Sequence, residues 1–223
     1  MSSIEQKARD VTRPGLESIG RRLATWNVSP DWVTYLGLFL TLGVATLAGL
    51  GKFRWAGGVY ILAAICDAMD GTLARVSGKG SRFGAFLDST IDRFEESIVF
   101  LGLIVYYART GRQVEIPLIL VVTVASLMVS YTRARAEAVG VECKVGFMTR
   151  PPRVVILIAG LILDQVFITL IILAVTSLFT AFQRMVHVWM ATGGEDGGWA
   201  PPKAPFVSPG AVPEMKEEQG EGL

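Results

Sequence analysis

Histidine occurs once in the 223 residues and cysteine only twice. His187 lies near the end of an apolar run, and no catalytic role is assigned to it. Cys66 and Cys143 have neither CxxC nor metal-ligand spacing, so no disulfide framework or thiolate metal site can be argued. Cys66 sits within an apolar run and reads as a small packing residue. An excess of one charge is also missing. The 21 Lys and Arg balance 20 Asp and Glu, a formal net charge of +1, which leaves no whole-protein case for nucleic acid. No cleavable leader is visible, because the first 30 residues are polar and basic without an apolar h-region. No internal repeat is found.

What the chain does have is hydrocarbon. Apolar residues make up 51% of it, and the mean hydropathy is +0.46. They fall in blocks long enough to cross a bilayer, which takes roughly 20 residues per helix. The pattern predicts spans over 32–50, 55–76, 83–107, 116–131, 153–163 and 166–186, with the fourth continuing as charged helix through 132–140. Residues 142–152 are expected to be loop, with Pro151-Pro152 blocking helix. Ahead of the spans, Leu16, Ile19, Leu23 and Trp26 recur at helical spacing beside Arg21 and Arg22. This fits an amphipathic juxtamembrane helix, although an ordinary helix packed on the domain would show the same spacing. The expectation is an all-α integral membrane protein with six transmembrane helices. Residues 1–28 form a cytoplasmic amphipathic segment, 29–189 the membrane domain, and 190–223 a Gly-, Pro- and Glu-rich disordered cytoplasmic tail. Lys and Arg concentrate in the N-terminal segment and in the two charged loops on the same side, which places both termini in the cytoplasm of a cell-membrane protein.

Acid is concentrated where it is most expensive. The sequence reads Asp67-x2-Asp70-Gly71-x2-Ala74-Arg75-x8-Gly84-x3-Asp88-x3-Asp92. Asp67 and Asp70 are three apart and Asp88 and Asp92 four apart, so each pair shares one helix face. Two antiparallel helices on a short loop bring the pairs together just below the cytoplasmic surface. Four facing carboxylates cannot all ionise uncompensated, and a hard divalent cation such as Mg2+ or Mn2+ compensates them through oxygen ligands. A two-metal site of this kind suits displacement at a phosphoryl group. Gly71, Ala74 and Gly84 leave room for a bulky ligand or for close helix packing, and Arg75 is placed to hold a phosphate or to anchor at the interface. A structural ion-pair network, or a cation channel or transporter, would use the same carboxylates. A transport path would need ionisable residues continuing to the far face, and the outer halves of the spans have few.

The complete pattern resembles the signature of the CDP-alcohol phosphotransferases, membrane enzymes of phospholipid synthesis. The resemblance covers about residues 29–186. It implies six transmembrane helices, a homodimer and a polar cavity open to the cytoplasm. It also implies that Asp67, Asp70 and Asp88 hold metal, while Asp92 is both ligand and general base. Asp92 would take the proton from an acceptor hydroxyl, which attacks the β-phosphorus of a CDP-activated lipid such as CDP-diacylglycerol and expels CMP. Ser29-Pro30-Asp31-x2-Thr34 resembles the family's nucleotide-contacting turn, completed by Gly71, Arg75 and Ser81, with Ala74 and Gly84 in the same site.

The acceptor is a separate question. Ser130, Arg133 and Arg135 end the fourth span, Arg153 opens the fifth and Arg184 ends the sixth. If the spans form a bundle, these arginines converge on its mouth, and a guanidinium fork suits phosphate. They are read as binding the phosphate of a soluble phosphorylated alcohol, whereas Lys144 and Arg150 are read as anchors facing water or headgroups. The arrangement resembles the phosphatidylinositol-phosphate synthase branch, which implies inositol 1-phosphate as acceptor. It departs from that branch in Arg133, where Lys is expected, and in Thr149 and Pro152, where Glu is expected. Glycerol 3-phosphate, the acceptor of phosphatidylglycerophosphate synthase, is the alternative.

Overall fold

A computed structural model describes residues 30–77 and 81–193. All regular structure among them is helical: α1 (Pro30–Gly49), α2 (Phe53–Ser77), α3 (Arg82–Thr110), α4 (Glu115–Ala138), α5 (Arg150–Ile162) and α6 (Val166–Ala191). The expected amphipathic segment, Ser29 and the tail beyond residue 193 lie outside the described residues. The helix that precedes the tail runs to Ala191, slightly past the expected boundary at 190.

Local chemistry sets the helix ends. Ser81 caps α3, its hydroxyl accepting the Gly84 N–H at 2.8 Å. Gly111 closes the same helix in the left-handed conformation, φ 73°, which a residue without Cβ adopts freely. At the start of α4, Arg112 pairs with the buried Glu115 at 2.5 Å and stacks over the Tyr107 ring. α5 corrects one expectation. It begins at Arg150, so Pro151 and Pro152 lie inside its first turn rather than in a loop. The first turn has no N–H partners to lose, and proline's fixed φ suits it.

Three helices are long and apolar enough to cross a membrane by length and composition: Trp32–Gly49, Glu115–Ala138 and Val166–Ala191. α2 and α3 have the length, at 25 and 29 residues, but their acid and base lower their hydropathy. α5 has 13 residues, which at ~1.5 Å rise reaches only about two thirds of a bilayer core.

α1 packs on α2 and α3, α2 on α5, α3 on α4, and α6 on both α4 and α5. The apolar core fills one end of this bundle. Val44 and Ala48 of α1 meet Ala56 and Tyr60 of α2, Phe100 and Leu103 of α3, and Leu157 and Leu161 of α5. Small residues bring the backbones close. A Cβ on Gly102 would sit 2.4 Å from the Ala45 carbonyl oxygen, and one on Gly160 would sit 2.0 Å from the Thr169 hydroxyl. Around the outside, Phe39, Trp55, Val155, Val175 and Phe182 are exposed. An exterior this rich in large apolar side chains suits lipid rather than water.

Candidate active site

The carboxylates occupy the end of the bundle opposite the apolar core. α2 carries Asp67 and Asp70 on its last turns, and α3 carries Asp88 and Asp92 on its first. Asp67, Asp92 and Glu95 each offer a carboxylate oxygen within 4.8 Å of the others. Glu95 extends the Asp92 face by three residues. It is buried, and a Cβ on Gly37 of α1 would stand 3.2 Å from Glu95 Oε1. Half-buried Asp88, one turn before Asp92, feels the charges of Asp67 and Arg150. Asp70, Gly71, Ala74 and Arg75 continue the α2 backbone beside this cluster.

Arg150 is the cation at the centre. Its Nη1 donates to Asp67 and lies 2.6 Å from Asp92 Oδ1, while Nη2 donates to Glu95 Oε2 at 2.7 Å. The interfacial-anchor reading of Arg150 is therefore corrected: its side chain is 17% exposed and faces carboxylates, not headgroups. Arg93 adds a looser contact, Nη1 to Asp92 Oδ2 at 3.6 Å. Sequence reasoning missed both Glu95 and Arg150. The i, i+3 spacing from Asp92 was a signal for Glu95. Nothing local marks Arg150, which comes from a helix 83 residues beyond Asp67.

The arginines expected around an acceptor phosphate have different surroundings. Arg153, 2% exposed, makes a two-pronged pair with Glu96, Nε–Oε1 2.7 Å and Nη2–Oε2 2.8 Å, and donates to the Met148 carbonyl at 3.1 Å. Buried Arg184 donates to the backbone carbonyls of Val145, at 3.0 Å, and Val129. Both thus tie down the α4–α5 loop. Gly146 in that loop has φ 103°, and a Cβ on it would come 2.6 Å from Thr180 Cγ2. Arg133 pairs with Glu137 along exposed α4 at 2.9 Å, and Arg135 is exposed. Ser130 lines a cleft of about 570 Å³ between α3 and α4, with Ser89, Arg93, Ser97 and Tyr131. Of the expected nucleotide turn, Pro30 and Asp31 open α1, Thr34 follows about one turn later, half-buried, and Ser81 and Gly84 form the α3 cap.

This donor set fits a hard divalent cation. Four carboxylates, Asp67, Asp88, Asp92 and Glu95, outnumber the two guanidinium groups facing them. The surplus negative charge at a partly buried site calls for a further cation, and oxygen donors select Mg2+ or Mn2+. The arrangement defines a membrane protein built for phosphoryl chemistry at one end of a helical bundle.

The chain belongs to the CDP-alcohol phosphatidyltransferase family, whose model matches residues 27–191. It is similar to the archaetidylinositol phosphate synthase of Methanothermobacter thermautotrophicus, 33% identical over 84% of this chain and 95% of that one. It also superimposes on the phosphatidylinositol phosphate synthase of Mycobacterium tuberculosis with CDP-DAG bound, with a TM-score of 0.74 and 34% identity, covering 82% of this chain and 97% of that one. The same mycobacterial enzyme in complex with manganese and citrate gives a TM-score of 0.74 at 34% identity, over 82% and 92% of the two chains. The chain is therefore a transferase of this family, and the channel or transporter alternative is set aside.

Proposed function

We propose that this enzyme transfers the phosphatidyl group of a CDP-diacylglycerol-type lipid to a hydroxyl of inositol 1-phosphate, releasing CMP. The observation that carries the reading is the clustering of Asp67, Asp92 and Glu95 oxygens within 4.8 Å at one mouth of an apolar bundle. Two relatives named as inositol phosphate synthases support the acceptor, and the mycobacterial structure with CDP-DAG supports the donor. The reading adopts six transmembrane spans, a homodimer, a membrane domain over 29–189 and a cytoplasmic active site in the cell membrane.

Asp67, Asp70, Asp88 and Asp92 hold Mg2+ or Mn2+, a choice supported by the relative crystallised with manganese. Bound metal supplies orientation of the phosphates and compensation of their charge. Asp92 faces the cluster from α3 and accepts the proton of the acceptor hydroxyl. The hydroxyl oxygen forms the new bond to the β-phosphorus, the anhydride bond to CMP breaks, and its electron pair leaves on the CMP phosphate. An ordinary aspartate is a weak base, so positioning and charge stabilisation carry most of the acceleration. The segment Ser29–Thr34, with Gly71, Ala74, Arg75, Ser81 and Gly84, holds the nucleotide end of the lipid. Ser130, Arg133 and Arg135 of α4 recognise the acceptor phosphate, on the helix that leads into the loop that Arg153 and Arg184 brace.

Purified protein in detergent is offered CDP-diacylglycerol with inositol 1-phosphate, glycerol 3-phosphate, inositol or serine, and CMP release is followed. Release with inositol 1-phosphate well above the other three is expected. Release driven by glycerol 3-phosphate or by an unphosphorylated alcohol would overturn the acceptor assignment.

A further inference from the structure

The carboxylates proposed to hold metal already share a cation that belongs to the chain. Arg150 spans Asp67, Asp92 and Glu95 with its two terminal nitrogens. These are the three residues whose oxygens converge within 4.8 Å. A divalent ion drawn to the same oxygens competes with the guanidinium for their lone pairs. The two cations compete for one set of donors, and like charges this close repel.

Arg150 is placed so that it can yield. The carboxylates stand on α2 and α3, whereas Arg150 stands on the first turn of α5. Its withdrawal is a change of rotamer that leaves the carboxylate helices where they are. Its grip is also incomplete, because the buried Nε finds no hydrogen-bond partner among the described residues, and an unmet buried donor subtracts from the docked pose. Arg153 and Arg184 differ in this respect. Each is fastened to backbone carbonyls as well as lying buried, so neither is free to serve as an exchangeable cation.

We propose that Arg150 is a built-in counter-cation, bridging Asp67, Asp92 and Glu95 when metal is absent and displaced from the Asp67–Asp92 pair when metal enters. This rests on the metal reading of the site. It makes Arg150 a positioning residue with two effects. It lets the acid cluster fold without metal, and it lowers metal affinity by having to be moved. Glu95 is the most buried of the three carboxylates, and it retains the arginine's second nitrogen as the first swings away.

The test uses Mn2+ alone as probe on the full chain in detergent, with free Mn2+ counted by electron paramagnetic resonance. Wild type must bind Mn2+, and R150Q, which keeps a polar side chain but no charge, binds it on the order of tenfold more tightly, the scale of one competing charge at close range. Equal or weaker Mn2+ binding by R150Q overturns the proposal. A wild type that binds no Mn2+ at all overturns the metal reading with it, which separates the two failures. A second measurement needs no variant. Phenylglyoxal modification of Arg150 in wild type, read by peptide mass spectrometry, rises when Mn2+ replaces EDTA. Unchanged or diminished modification overturns displacement.

Discussion

Removing Arg153 separates two accounts of the arginines at the bundle mouth. Its guanidinium holds Glu96 with two hydrogen bonds at 2.7 and 2.8 Å, and both side chains are nearly sealed, at 2% and 7% exposure. Truncation to alanine leaves Glu96 buried without its partner, a change that costs about 3–5 kcal/mol when one half of a buried pair is lost. The bond to the Met148 carbonyl adds about 1 kcal/mol. Arg153→Ala is therefore expected to lose about 4–6 kcal/mol, a large share of the roughly 5–15 kcal/mol that holds a typical domain together. The double variant Glu96→Gln/Arg153→Met carries no buried charge and recovers most of this loss. Denaturant titration in detergent, with the inositol 1-phosphate KM measured in parallel, supplies the assay. If Arg153→Ala unfolds within about 1 kcal/mol of wild type while the acceptor KM rises steeply, the pair with Glu96 is not what Arg153 is for. The residue then returns to the acceptor phosphate.

Other substitutions and conditions test separate parts of the site. Asp92→Asn keeps the shape of α3 and is expected to retain CDP-lipid binding while transfer falls by about two to four orders of magnitude, the usual worth of a positioned base; retained turnover removes Asp92 from that role. Chelation of divalent cations stops CMP release and added Mg2+ or Mn2+ restores it, and activity that ignores EDTA contradicts the metal assignment. Gly160→Ala would bring a methyl to 2.0 Å from the Thr169 hydroxyl, so the α5–α6 contact must open at a cost of about 1–3 kcal/mol. An unchanged unfolding midpoint for that variant would mean that the helices are not so closely packed.

Much of the scaffold was legible because helix periodicity, span length and turn chemistry are local. The α3 start, expected at 83 and found at Arg82 behind the Ser81 cap, the break around Asp164-Gln165 and the charged extension of α4 all follow from neighbouring residues. The start of α5 was misplaced because a proline pair reads as a stop unless it falls in a first turn, and sequence alone does not say which. The aspartate pattern was visible for the same local reason: spacings of three and four put carboxylates on one face. Partners across the bundle were not. Arg153 lies 57 residues from Glu96 and Arg150 lies 55 residues from Glu95. Helix packing, not spacing, decides which arginine meets which acid. Four arginines looked equivalent at the mouth. Burial separates them into two loop braces, Arg153 and Arg184, and two exposed residues of α4, Arg133 and Arg135.

The central claim is a phosphatidyl transfer that leaves the acceptor's own phosphate in the lipid. The direct measurement is the mass of the chloroform-extracted product after the purified enzyme has worked on CDP-diacylglycerol, inositol 1-phosphate and Mg2+. A lipid carrying both the diester phosphate and an inositol phosphate monoester, formed one for one with CMP and absent with Asp92→Asn, is predicted. CMP released with no such lipid, or a product that lacks the second phosphate, would contradict it.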